Sequence, residues 1–377
     1  MHNHEKFDAF RGAAALVVAL SHICQIYFVR LIGDTHPAWL LSRTLGLHAV
    51  IVFFLLSGYL ITLSILKNGE SADGFSSREF VAARIARIYP PFIASLAVIM
   101  LCWLTLHVMH LPGADTRFGL PADAYAVPAM TLSAREFVES LMMIKGMTRA
   151  NPPFWSLYLE VWSYVIAFFF ALGGFTRHRG FRAAALTVAV AAVVAASAGK
   201  ENFGFFFAIW SYGAAICLMT HYRSRYRSGV LAAAGSIGAL VIAALAAIDP
   251  RMIGAGFAVH SIELTAGTAF AGLYGYLLFG WRMLDRTYPR WLVRTGDFSY
   301  TLYLVHFPIL ALGLAWSLHW IGTSLLRSAA CGAAAFVIAV AFARMLAKFV
   351  ERPKYFKALL LSVRLPIVGS GSLERGR

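Results

Sequence analysis

Charge is scarce in this chain: 14% of its 377 residues are Asp, Glu, Lys or Arg, while 59% are apolar and the mean hydropathy is +0.68. One core cannot hide that much apolar surface from water, so a soluble protein is excluded. Acid is the scarcer sign, with 18 acidic residues against 33 basic ones and a formal net charge of +15. The basic excess is spread along the chain rather than gathered into one domain. That argues against a nucleic-acid partner and for anionic lipid heads or a phosphorylated substrate. Cysteine is nearly absent, and Cys24, Cys102, Cys217 and Cys331 fall in different apolar stretches without CxxC or metal-ligand spacing. They read as small packing residues, and neither a disulfide framework nor a metal site is expected. There is no repeat at a fixed period, no low-complexity tract and no second soluble domain. No charged n-region or small-residue cleavage site precedes Ala13, so the first apolar stretch is expected to be a retained helix rather than a signal peptide. His2 and His4 are expected to form an unstructured tip.

What remains is mostly apolar runs close to the ~20 residues that cross ~30 Å of hydrocarbon. They are Ala13–Val29, Leu47–Leu66, Pro90–Leu111, Phe154–Phe175, Phe181–Ala198, Phe203–Met219, Val230–Ile248, a run ending at Phe279, Phe298–Trp320 and Leu326–Phe349. The eighth is ill-defined at its start, where His260 and Glu263 mark an outer edge. Lys and Arg number 22 on one set of connecting segments against nine on the other. By the positive-inside rule both termini are cytoplasmic. The fold class is therefore all-α, a polytopic integral membrane bundle of about ten transmembrane helices. Residues 1–350 form the membrane domain and 351–377 a short basic tail. In the longest connection, Pro112–Pro153, Ser133-Ala-Arg-Glu136 has the form of a capping box. It opens an amphipathic helix whose Phe137, Leu141 and Ile144 share a face, expected to lie flat on the outer surface.

Ionisable residues inside spans are costly and usually functional. Arg11 and His22 are eleven residues apart, close to the same helix face and ~16 Å apart along the axis, which links the inner rim to mid-bilayer. The blander reading is a snorkelling Arg and a His bonded to a neighbouring helix. Arg84 and Arg87, at i and i+3, present two guanidinium forks suited to phosphate, though positive-inside anchoring explains them equally well by position. Ser156, Glu160 and Tyr164 recur every four residues, with Trp155 alongside; Glu160 needs a partner, catalytic or structural. Ser299, Tyr303 and His306 stand at i, i+4 and i+7, so Tyr303 or Ser299 could fix the tautomer of His306, which alone would read as a core histidine. His22 and His306 from the inner side and Glu160 from the outer side all end near mid-bilayer. A polar centre open to both faces is expected.

These motifs resemble acyltransferase family 3, the multi-spanning bacterial O-acyltransferases of surface polysaccharides. The resemblance rests on Arg11-x10-His22, Phe53-Phe-Leu-Leu-Ser57-Gly58, Arg84-x-x-Arg87-x-Tyr-Pro, Phe154-Trp-Ser-Leu-x-x-Glu160, Ser299-Tyr-x-Leu-Tyr-Leu-x-His306-x-Pro308 and Glu351-x-Pro353. It spans nearly the whole chain. It implies a ten-helix domain in the bacterial cytoplasmic (inner) membrane that moves an acyl group, commonly acetyl, from cytoplasmic acyl-CoA to a hydroxyl of an extracytoplasmic glycan, free or lipid-linked. Acetyl-CoA would be a donor substrate, with no permanently bound cofactor. By resemblance His22 is the catalytic histidine, Arg84 and Arg87 hold CoA phosphates, Arg11 supports the donor or orients the site, and Glu160 is essential. Ser57, Trp155, Ser156, Ser299, Tyr303 and His306 support them. Many members have an acid where this chain has Ile51. Some carry an outer hydrolase-like domain after the last span; without one, transfer is expected to finish within the membrane domain. The competing classes are a glycan or lipid transporter or flippase and a membrane-embedded receptor.

Overall fold

The computed structural model describes residues 2–71, 74–114, 129–199, 202–248, 263–281 and 287–362. These residues form helices joined by short connections, and among them nine helices are long and apolar enough to cross a bilayer. In chain order the helices are α1 (His2–Ile23), α2 (Val29–Ile32), α3 (Pro37–Gly69), α4 (Ser77–Val108), α5 (Ala134–Leu141), α6 (Phe154–Phe175), α7 (Arg179–Gly199), α8 (Phe203–His221) and α9 (Arg227–Ile248), followed by α10 (Glu263–Gly275), α11 (Arg290–Gly296), α12 (Ser299–Ile321), α13 (Leu325–Val350) and α14 (Pro353–Ser362). A π-helical turn, Cys24–Phe28, joins α1 to α2, and a second, Tyr276–Gly280, extends α10 to the expected end of the eighth span. His260 lies outside the described residues. Glu263 opens α10.

The helices are longer than the apolar runs that announce them, because polar residues at their ends are also helical. α3 has 33 residues, about 50 Å at 1.5 Å per residue. α4 begins at Ser77 rather than Pro90. Ser76 accepts the Glu79 N–H at 3.3 Å, and Pro90 and Pro91 lie inside the helix. His2 and His4 lie in the opening turns of α1, not in an unstructured tip. Part of the expected tail is likewise ordered: α14 packs on α4, with Lys357 Nζ 3.1 Å from Glu79 Oε2 and Arg78 Nη2 donating to the Leu361 carbonyl at 2.9 Å.

Small residues set the closest helix crossings. A Cβ on Gly58 would lie 1.9 Å from the Trp210 carbonyl oxygen, and one on Gly213 would lie 2.1 Å from that of Leu55. α3 and α8 therefore touch backbone to backbone, as small residues permit between membrane helices. Gly12 and Gly296 do the same for α1 and α11: their added Cβ atoms would meet Leu292 O at 2.5 Å and Asp8 O at 2.3 Å. This contact holds the beginning of α12 beside the beginning of α1. Glu351, just past α13, accepts the Thr301 N–H at 2.7 Å, so the first turns of α1 and α12 and the end of α13 share one face of the bundle.

The segment before α6 departs from expectation. Ser133 is the N-cap of α5 but makes no side-chain capping bond, and Glu136 completes no box; Arg135 instead pairs with Glu139 at 2.8 Å. The helix ends at Leu141, so Ile144 lies beyond it and is exposed. The residues after it fold back into the bundle. Tyr89 of α4 donates to the Leu141 carbonyl at 3.0 Å, Ser140 bonds the Tyr158 hydroxyl at 3.0 Å, and Met143, Met147, Ala150 and Asn151 are buried. The anchor follows from a proline. Pro308 has no N–H to give the carbonyl four residues earlier, and Asn151 Nδ2 supplies the missing bond to Leu304 O at 2.7 Å.

Candidate active site

A cavity of about 360 Å³ opens among α3, α4, α6 and α12 on the face that holds the described ends of the chain. Three of its walls are helix faces expected from sequence spacing. α4 turns Arg84 and Arg87 inward. α6 contributes Ser156, Glu160 and Tyr164; α12 contributes Ser299, Tyr300 and Tyr303. Ser57 of α3 faces the cavity next to Gly58, whose lack of a side chain admits α8 behind it. Arg11 reaches it from α1, and Asp8 lies 3.5 Å from its guanidinium. Along the walls between the polar groups, Val50, Phe53, Phe54, Leu60 and Ile61 form an apolar lining.

The charged groups are held by a network. Ser57 Oγ donates to Tyr164 OH at 3.2 Å, and Tyr164 OH donates to Glu160 Oε1, so the required partner of Glu160 is a tyrosine one turn along the same helix. Glu160 also lies within electrostatic reach of Arg84. Arg84 donates from Nη2 to Ser64 Oγ at 3.3 Å, its guanidinium carbon sits 5.6 Å from the Phe80 ring centre, and its Nε has no partner among the described residues. Arg87 differs: Glu351 Oε2 lies 3.8 Å from it, and the Tyr300 ring 5.9 Å. One fork of the expected pair is thus partly neutralised by a buried carboxylate, and the other remains available to an anion.

Ser156 and Tyr303 close the deep end. Their hydroxyls are 2.6 Å apart, and Tyr303 OH donates to the Pro153 carbonyl at 3.1 Å. Ser299 Oγ donates to Gly296 O at 2.9 Å and shapes the start of α12. Trp155 lies off the cavity, with its ring 5.1 Å from that of Phe206.

The histidines lie beyond that end wall; neither is part of the cavity lining. The His22 and His306 ring centres are 5.2 Å apart, and the Tyr303 ring, part of the cavity lining, lies 6.0 Å from His306 and 5.8 Å from Phe53. The His306 tautomer is set by neither Tyr303 nor Ser299. Its Nδ1–H donates to Leu302 O at 2.9 Å, one helical turn back. His22 donates Nδ1–H to Gln25 Oε1 at 2.8 Å. Both rings thus keep a lone pair on Nε2. Gln25 sits in the π-helical turn, a distortion often found at functional sites. The turn is anchored by Tyr27, whose hydroxyl donates to Leu310 O at 3.0 Å.

Sequence reasoning missed several residues. Lys354 and Lys357 of α14 form part of the cavity rim. Lys357 also borders an adjacent hollow with Lys67, Asn68 and Ser64, likewise of about 360 Å³. Their signal was an amphipathic pattern inside a segment read as a tail. Glu351 was visible only as a motif position, Gln25 as the i+3 neighbour of His22, and Asn151 as a residue before two prolines. The carbonyl freed by Pro308 was deducible, but its partner was not.

Fold and cavity define a polytopic membrane protein with an arginine-lined hollow inside the bundle and a histidine pair next to Tyr303 of its lining. Comparison with known proteins names the class. Residues 4–344 match the family described as "Acyltransferase domain", and the chain belongs to acyltransferase family 3. It is similar to nodulation protein 10 of Rhizobium leguminosarum bv. viciae, with 27% identity over 84% of this chain and 86% of that one. Shorter matches are to an O-acetyl transferase of Shigella phage Sf6 (34% identity, 25% of each chain) and to acyltransferase MdmB of Streptomyces mycarofaciens (32% identity, 40% of this chain and 34% of that one). No solved structure is significantly similar. The protein is therefore a membrane O-acyltransferase, and the transporter and receptor readings fall away.

Proposed function

We propose that the enzyme takes an acyl group, acetyl in the first instance, from cytoplasmic acyl-CoA and delivers it to a hydroxyl of an extracytoplasmic glycan. The carrying observation is the cavity: basic groups at its mouth, an apolar lining, and the histidines just past its end. The face rich in Lys and Arg is then the cytoplasmic face of a bacterial inner membrane, where CoA thioesters are available. Arg84, helped by Arg11, Lys354 and Lys357, engages the phosphates. The pantetheine arm follows the apolar wall, and the ~16 Å of helix from Arg11 to His22 spans the remaining distance to the thioester. His22 Nε2 takes the proton of the acceptor hydroxyl as its oxygen attacks the thioester carbonyl. The carbon–sulfur bond breaks, and CoA leaves as its thiol after receiving that proton. The Ser57–Tyr164–Glu160 chain holds a carboxylate beside Arg84, orienting its guanidinium without filling the cavity. Supporting this reading are the family membership and the relative named as an O-acetyl transferase.

The test is mass analysis of surface glycans from cells with and without the gene, alongside acetyl-CoA turnover by the purified protein. Glycans lighter by acetyl units in the mutant, together with CoA release by the wild-type protein, are expected. Unchanged glycans and no CoA release would overturn the reading.

A further inference from the structure

His306 is fully buried and its ring carries one hydrogen-bonding atom that nothing among the described residues meets. Because Nδ1–H is committed to Leu302 O, the unmet atom is the Nε2 lone pair. Leaving a buried acceptor unpaired is destabilising, and a ring of similar shape without nitrogen would avoid that cost. The second histidine is in ring contact with the first, its centre 5.2 Å away. His22 likewise commits Nδ1–H to Gln25 and presents Nε2 as an acceptor. Neither Nε2 carries a hydrogen, so neither ring can satisfy the other. His306 Nε2 lacks a donor among the described residues, and an alcohol supplies one.

Resting on the acyl-transfer reading above, we propose that His22 and His306 form one acceptor-hydroxyl subsite, with both Nε2 atoms flanking the reacting oxygen. His306 is then a second catalytic residue and not a packing histidine. In the step, the acceptor oxygen bonds to the acyl carbon, the carbon–sulfur bond breaks, and the hydroxyl proton passes to Nε2 of one histidine. The other Nε2 can then accept a hydrogen bond from that charged ring, a charge-assisted contact in a water-poor interior. The proton leaves on the CoA sulfur and restores two lone pairs. Tyr303 lines the donor cavity and its ring lies 6.0 Å from that of His306, so the thioester meets the acceptor hydroxyl beside that ring.

The experiment separates a lone-pair role from a packing role. His306→Phe keeps ring volume and removes the nitrogen; His306→Gln and His306→Asn keep a side-chain acceptor and remove the ring. All three are expressed in cells lacking the gene and matched for membrane abundance and melting temperature. Acetylation of the cells' own surface glycan is followed by mass spectrometry, and acetyl-CoA binding to purified protein by calorimetry. The expected result is a fall in acetylation rate of roughly 100-fold or more in His306→Phe, the lower range of general acid–base contributions. At least one amide variant should stay within about tenfold of wild type, and acetyl-CoA affinity should stay within about twofold in all. Phe at the wild-type rate, or Phe and both amides equally impaired at unchanged melting temperature, would overturn the subsite. An amide variant that does not fold leaves the other amide as the comparison with Phe. Wild-type protein that neither acetylates glycan nor releases CoA would sink the acyl-transfer reading instead, a result read before any variant.

Discussion

Helices α12 and α7 are both apolar enough to cross a bilayer, yet 67% of the membrane-length window of α12 is buried inside the protein against 17% of that of α7. α12 carries Ser299, Tyr300, Tyr303 and His306 and touches α1, α4 and α13. α7 is a run of Ala and Val whose Val190 and Val194 are exposed. Apolarity alone does not tell the two apart. Polar residues do, because a hydroxyl or imidazole in hydrocarbon must find a partner, and partners are found only at the centre of the bundle. The periphery supplies span and insulation, and the centre gathers the polar side chains that need partners.

Substitutions at the two ends of that contrast should differ by orders of magnitude. His22→Ala is expected to have the largest effect, a loss of acyl transfer of roughly 10²–10⁴-fold with normal membrane abundance; wild-type turnover in that variant would remove His22 from the chemistry. Glu351→Ala comes next, since it removes the acceptor of the Thr301 N–H and the carboxylate 3.8 Å from the part-exposed Arg87, at a cost of about 1–3 kcal/mol. Thermal unfolding of the purified variant should show a clearly lowered midpoint, and one matching wild type would mean that the pair is not buried in solution. Arg84→Ala should weaken donor binding by about 1.5–3 kcal/mol, the worth of a hydrogen bond to a charged group, and raise KM for acyl-CoA more than it lowers kcat. Arg84→Lys should recover only part of that, because a single ammonium cannot reproduce the planar fork. At the periphery, Leu240→Ala on α9, where the side chain is 70% exposed, should change stability by no more than about 0.5 kcal/mol and activity not at all. A large defect there would show that this face is covered by another protein and not by lipid.

Much of this contrast was legible beforehand. The apolar runs located the spans, and residues repeated every four positions on α6 identified a face that lines the cavity. Helix periodicity is local, so spacing determines which side chains share a face. Spacing could not say which neighbour that face meets. Arg87 was read as half of a phosphate fork and lines the cavity, but the carboxylate of Glu351, far away in sequence, lies 3.8 Å from it. His306 was expected to be fixed by a side chain on its own helix; a backbone carbonyl does so instead. The capping box at Ser133 had the right letters and makes no capping bond, because Arg135 and the chain that turns back toward Tyr89 engage the same few residues differently.

The amino-acid sequence by itself determined that this is a helical membrane protein with reactive side chains concentrated on a few faces. Hydrocarbon leaves a chain of this composition no alternative to closing its backbone bonds within helices. Only the tertiary structure decided that Ser156 and Tyr303 line one cavity, that the two histidines share a ring contact beside Tyr303, and that the segment before α6 dips inward to meet the carbonyl freed by Pro308. Those outcomes depend on contacts between residues far apart in the chain, set by where Gly12, Gly58, Gly213 and Gly296 let helices close and by which partner each buried polar atom finds.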